Sequence, residues 1–136
     1  MTPQQVQQVT ETWKMVTPIA DTAATLFYDK LFELDPALRP LFPSDLAEQR
    51  KKLLMTLSFA VSSLNNPAAL LPAVRHLGKR HAGYGVKDEH FATVGAALLW
   101  TLEQGLGTAW NPEVADAWAT VYGVVASTMK EGMREA

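Results

Sequence analysis

The sequence contains no cysteine, which excludes disulfides, thiolate catalysis and cysteine-ligated zinc or iron–sulfur centres. It has no surplus of positive charge. The formal net charge is −2, so there is no electrostatic footprint for DNA or RNA, and the clusters Arg50-Lys51-Lys52 and Lys79-Arg80 read as solvated helix faces. No apolar run reaches the roughly 18 residues that span a bilayer. Met1-Thr2-Pro3-Gln4-Gln5 lacks the basic start and apolar core of a signal peptide, so the expected location is the cytoplasm. Strand signals are missing too, with neither an Asn-Gly hairpin nor sustained period-two alternation. The 136 residues, 48% hydrophobic and 19% charged, suit one folded domain over 1–136 rather than a disordered chain.

What the chain has instead is helix punctuation. Thr2-Pro3, Thr17-Pro18, Asp35-Pro36, Asn66-Pro67 and Asn111-Pro112 each set a capping residue before a good first helical residue. Thr2 with Gln5 forms a capping box, Asp45 with Glu48 a looser one, and Asp88 is placed to cap the helical segment after it. Apolar residues recur at helical spacing over about 3–16, 18–33, 46–65, 88–106 and 112–134, and Asp35-Pro36 opens a short helix. A further helix over 67–81 carries Leu70, Val74, Leu77 and His81 on one face, while His76 lies among Arg75, Lys79 and Arg80. Pro72 predicts a kink or restart near Leu71, and Gly78 weakens the helix further. Ala82-Gly83-Tyr84-Gly85-Val86 reads as a turn whose glycines can take positive φ. The expected fold class is all-α, with about seven helices.

His81 therefore points inward at the end of an apolar ridge, where it needs a hydrogen-bond partner or a metal. His76, His81 and His90 lack the spacing of a two-histidine zinc helix, and there is no Gly-x-Ser-x-Gly elbow, P-loop or Gly-x-Gly-x-x-Gly run. Conventional hydrolase and nucleotide-binding readings fall away. Two more polar residues, Tyr28 and Gln49, sit on otherwise apolar faces. Taken singly, each of the three reads as a hydrogen-bonded core residue or a solvated one.

Their order along the chain carries more. Phe27-Tyr28, Pro40-Leu41-Phe42, Gln49 with Leu53, Leu77-Gly78-Lys79-Arg80-His81, Tyr84-Gly85-Val86 and Ala117-Trp118-Ala119-Thr120-Val121-Tyr122-Gly123 follow one another as in single-domain bacterial globins. The chain resembles most the flavohaemoglobin-related branch, from Trp13 to about Met129. That resemblance implies a three-over-three globin sandwich around haem b, iron protoporphyrin IX. It makes His81 the proximal iron ligand and Phe42 the ring against the porphyrin. Tyr28, Gln49 and Leu53 would face bound ligand, with Val94 as apolar wall. Leu77, Val86 and Phe91 would lie on the proximal side, and Lys52, Arg80 or Lys79 would meet the propionates.

The resemblance implies reversible O₂ binding at high affinity, with NO and CO as further ligands. A donor to a partly charged ligand is worth about 1.5–3 kcal/mol, roughly 10- to 150-fold in affinity. The alternative is nitric oxide dioxygenation fed by an external reductase. Two positions depart from the branch: Phe91 and Met133 stand where a tyrosine and a glutamate would brace the histidine, although Glu131 and Glu135 are near. Without that brace, peroxidase-like or rapid dioxygenase chemistry is less expected. A sensor that acts through a partner and a haem-free helical binding module complete the rival readings.

Overall fold

The structure is a computed structural model that describes residues 1–83 and 86–135. Tyr84 and Gly85 of the expected turn, and Ala136, lie outside the described residues. The six α-helices are α1 (Pro3–Val16), α2 (Ala20–Leu34), α3 (Ala47–Ser62), α4 (Pro67–Ala82), α5 (His90–Leu106) and α6 (Pro112–Arg134). Three short 3₁₀ helices, Thr17–Ile19, Pro36–Leu41 and Gly107–Ala109, complete the described elements. All seven expected helical segments are present, the third of them as the 3₁₀ turn at Pro36–Leu41. No described helix is long and apolar enough to cross a membrane.

Helix starts follow the caps where a start leaves amides unsatisfied. Thr2 Oγ1 accepts from the Gln5 amide while Gln5 Oε1 accepts from the Thr2 amide, closing the expected box. Asp35 accepts from the Ala37 amide, Asp45 from the Ala47 amide and Asn111 from the Val114 amide. Thr17 does not cap. The chain stays helical through it, its amide already bonds back to Trp13, and its hydroxyl donates to the Lys14 carbonyl. Asn66 uses its backbone carbonyl, which accepts from Ala69 and Leu70, and its side chain makes no cap.

Asp88 is not a cap either. Helix α5 begins at His90, whose Nδ1 accepts from the Lys87 amide, and Asp88 pairs with Arg134 instead. Pro72 does not restart α4, which runs unbroken through it. The carbonyl deprived of a donor is that of Ala68, and both Ala68 and Pro72 are exposed, so water can satisfy it. Gly83 sits at φ −71°, not in the left-handed region. Among the described residues a positive φ occurs at Gly107, +54°, where it ends α5.

The helices pack three over three. α4 lies along α6, α2 against α5, and α1 crosses α6, with α2 also meeting α3. Their shared core includes Val9, Val16, Leu31, Leu70, Ala97 and Trp118. Trp13 and Trp118 meet with ring centroids 6.2 Å apart, and the Trp118 indole donates to Thr12 Oγ1 at 2.9 Å. That hydroxyl donates in turn to the Gln8 carbonyl, so the buried polar chain is satisfied.

α4 owes its place to glycine. A Cβ on Gly78 would strike the Met129 carbonyl of α6, and one on Gly132 would strike the Arg75 carbonyl of α4. The two backbones thus meet through reciprocal glycines, and ion pairs flank the crossing. Arg75 pairs with Glu131 at 3.2 Å and Glu135 at 3.6 Å, and Lys79 also pairs with Glu135.

Candidate functional site

Tyr28 is buried, 4% exposed, on the inward face of α2. Its ring meets Phe27, Phe32 and Phe42 with centroids 5.0, 6.1 and 5.7 Å away, the Phe27 and Phe42 contacts being edge-on. Phe42 follows the 3₁₀ turn and is held from behind by Arg39. That guanidinium donates to the carbonyls of Phe42, Pro43 and Ser44 and lies over the Phe32 ring. Sequence reading takes Phe42 as a corner residue but misses Arg39. Its only signal is a cation enclosed between Pro36 and Pro40.

The Tyr28 hydroxyl donates to the Gln49 backbone carbonyl at 3.4 Å, so the two expected polar residues do come together at the start of α3. The bond is long for an O–H donor, and a better acceptor brought near could compete for it. Burial pushes the Tyr28 phenol up to about 12, with the Gln49 side chain and the Arg50 charge pulling partly the other way. Tyr122 is pushed up in the same direction by burial.

These shifts set an alkaline limit. An unfolded tyrosine ionises near its ordinary value of 10.0, whereas native Tyr28 keeps its proton to about 12. Stability from the neutral phenol is therefore complete below pH 10 and is lost as pH rises towards 12. The urea midpoint is expected to fall over that interval, and Tyr28→Phe is expected to flatten part of the fall.

On α4, His81 is half-buried and its Nδ1 lies 2.7 Å from the Leu77 carbonyl. A carbonyl can only accept, so Nδ1 is the donor in this bond, and in the neutral tautomer Nε2 is the nitrogen able to bind a metal. Leu70 and Val74 of the same stripe are buried, Leu77 is half-buried, and His76 is exposed as expected. Phe91 is buried; its carbonyl accepts from the Tyr122 hydroxyl at 2.6 Å, and Lys130 lies over its ring. Glu131 and Glu135 are engaged with Arg75 and Lys79, and Met133 is half-buried.

α3 rests on α2 and α1, and α4 on α6, while α3 and α4 scarcely touch although only residues 63–66 join them. Leu53, Leu77, Val86 and Val94 are each half-buried, as at the margin of a core, and Lys52 and Arg80 are exposed. Behind Leu53, an apolar pocket of about 20 Å³ is bounded by Phe27, Leu57, Leu98 and Leu102. Thr101, also in its wall, turns its hydroxyl to the Ala97 carbonyl. Among the described residues no three His, Asp or Glu side chains gather as a metal site. A single imidazole can serve a metal whose other donors arrive with it, and the donor set fits a porphyrin iron in that way.

Tyr28 with Gln49 at the start of α3 and His81 on α4 are the polar groups, and half-buried Leu53, Leu77, Val86 and Val94 the apolar ones, that the chain offers a bound cofactor. The Globin family model matches residues 25–129. The chain belongs to the globin family. It is 30% identical to Neuroglobin of Danio rerio over 138 residues, covering 91% of this chain and 87% of that protein. It is 32% identical to Flavohemoprotein of Rhodopirellula baltica over 120 residues, which cover 83% of this chain but 29% of that protein. Two solved structures share the fold. A hexacoordinated heme protein from an anhydrobiotic tardigrade superposes with a TM-score of 0.89 at 20% identity, covering 98% of this chain and 96% of its own. A bacterial globin from Campylobacter jejuni superposes at 0.86 with 24% identity, covering 98% and 97%.

Proposed function

We propose that this globin holds haem b between α3 and α4 and binds O₂ reversibly, with His81 as the iron ligand and Tyr28 and Gln49 attending the ligand. The observation that carries the reading is the His81–Leu77 hydrogen bond, in which Nδ1 donates to a carbonyl, the second partner that orients a metal-ligating imidazole and makes it more electron-rich. Bound haem would supply an iron able to take up a diatomic gas, with His81 holding it. The chain's own residues do the rest. Phe42, fixed by Arg39, offers a ring to the porphyrin face; Leu53 and Val94 exclude water. Leu77, Val86 and Phe91 pack on the histidine side, and Lys52 or Arg80 offers charge to the propionates. Burial keeps the Tyr28 phenol protonated at neutral pH, so its hydroxyl is a hydrogen-bond donor there.

The test is O₂ release from Tyr28→Phe. Removing a donor worth about 1.5–3 kcal/mol is expected to speed dissociation roughly 10- to 150-fold, with a smaller effect on CO. An unchanged O₂ rate would show that Tyr28 does not face the ligand. The same pocket suits NO dioxygenation, in which NO, O₂ and one electron give nitrate, and the flavohemoprotein relative favours that second reading. Sustained nitrate production with a reductase present, against a single turnover without one, separates an enzyme from an oxygen store.

A further inference from the structure

We infer that His90 is a positioning residue that makes the histidine side of the site sensitive to pH. This rests on the haem reading above, in which Val86 and Phe91 pack beside His81. Glu89, at the entry to α5, makes no capping bond with its side chain, and the entry is closed in another way. The Lys87 amide donates to His90 Nδ1 at 3.0 Å, while the His90 amide donates to the Lys87 carbonyl at 3.0 Å. The two residues bond each other in both directions, three positions apart. Glutamate or glutamine reaches back in this way from the third position of a capping box, and here an imidazole holds that place.

A side-chain oxygen in that place keeps its lone pairs at any pH near neutrality, and an imidazole does not. Nδ1 accepts from an amide only while it carries no proton, and histidine is the side chain that ordinarily gains one between about pH 8 and 5. A charged ring leaves the Lys87 amide without its acceptor. It also sets a positive charge at the start of α5, the end where the helix dipole disfavours one. The clasp is therefore closed at the alkaline end of that range and opens as pH falls. Several charged groups surround it. Lys87, Asp88 and Glu89 are exposed on the turn itself. From α6 come Lys130, over the Phe91 ring, and Arg134, paired with Asp88 at 3.8 Å, while the Tyr122 hydroxyl is spent on the Phe91 carbonyl. α2 and the turn before it meet α5 farther along, Lys30 at Trp100 and Ile19 at Gly105. Among the described residues none of these groups bonds the imidazole, so the Lys87 amide is its polar partner.

The clasp sits where it can reach His81. Half-buried Val86 directly precedes Lys87, and buried Phe91 directly follows His90. Phe91 is held to α6 through Tyr122 and Lys130, so α5 keeps its place when the clasp opens. The freedom falls instead on the chain before it, residues 83–89, which joins α5 to the end of α4. The last turn of α4 carries His81. Acid thus loosens Val86 and the end of α4 together, and the hold on haem weakens.

The test compares the haem-loaded parent with His90→Gln, whose side-chain oxygen accepts the same amide without titrating, and with His90→Ala, which has no acceptor. Hydrogen exchange by NMR, on the full chain under CO, reads the Lys87 amide. Transfer of ferric haem to excess apomyoglobin, followed in the Soret band, reads the hold on the cofactor. From about pH 8 to about pH 6 the protection of that amide in the parent is expected to fall about 3- to 30-fold, the worth of a lost cap. Over the same interval haem transfer should quicken at least about 3-fold more in the parent than in His90→Gln. His90→Ala should release haem faster than the parent at the alkaline end and change less on acidification. Protonation of His81 or His76 is common to the three proteins and drops out of the comparison. Parallel pH profiles in the parent and His90→Gln overturn the inference and leave the haem reading standing. So does a Lys87 amide equally protected at both ends, a measurement on the parent that needs no variant to fold. A chain that takes up no haem shows no Soret band before any pH is changed, and overturns the haem reading and the coupling together.

Discussion

His81→Gly is expected to lose haem during gel filtration, with hemin affinity falling by more than the roughly 10- to 100-fold that loss of a supporting partner costs a metal site. The reason lies in the donor set. On the proposed reading the imidazole would be the protein's bond to the iron, beside apolar contacts and the charge offered to the propionates. The substitution should spare the fold, because His81 is half-buried in the last turn of α4, at the end of the helix rather than in its packed middle. Far-UV circular dichroism is expected to stay helical while the Soret band weakens. Millimolar imidazole should restore much of the band, since the missing ring leaves a gap of its own shape. Retention of haem with an unaltered spectrum would remove His81 from the iron.

α1 and α6 are legible to their ends because Thr2 and Asn111 stand where helices begin from extended chain, with first-turn amides that need an acceptor. Thr17 carries the same two-residue signal and fails, because the chain enters it already helical. Neither periodicity nor capping rules can register that. Tyr28 and Gln49 are readable in part: both sit on apolar faces in the sequence, and the structure brings them together. That the Gln49 backbone carbonyl accepts from the hydroxyl depends on how α3 begins, and composition holds no trace of it. Arg39 is invisible for a related reason, since its three carbonyl partners exist only once the turn at Pro36–Leu41 has formed. Gly78 is misleading. In sequence it is a weak point of α4, whereas in the fold it is the condition for α4 to touch α6 at all.

Gly132→Ala or Gly78→Ala is accordingly expected to destabilise the protein by about 3 kcal/mol or more, the upper end of what overpacking costs. At Gly132 the added Cβ would lie 2.9 Å from the Arg75 carbonyl carbon and nearer still to its oxygen; at Gly78 it would lie 2.8 Å from the Met129 carbonyl carbon. These are backbone atoms inside helices. No rotamer change relieves them, and the helices must separate. Separation stretches the Arg75–Glu131 and Lys79–Glu135 pairs and draws α4 away from the surface that holds it. The double variant should cost less than the sum, because the first methyl already opens the crossing that the second would clash with. Gly123, on the same α6, has nothing within 4 Å of its Cβ position and is exposed, so Gly123→Ala is expected to stabilise by about 0.5–1 kcal/mol through helix propensity alone. Urea midpoints rank the three. Hemin titration of Gly132→Ala then tells whether moving α4 also moves His81, in which case the cofactor should bind more weakly at a denaturant concentration where the chain is still folded. Equal stability of Gly132→Ala and the parent would mean that the two backbones do not meet.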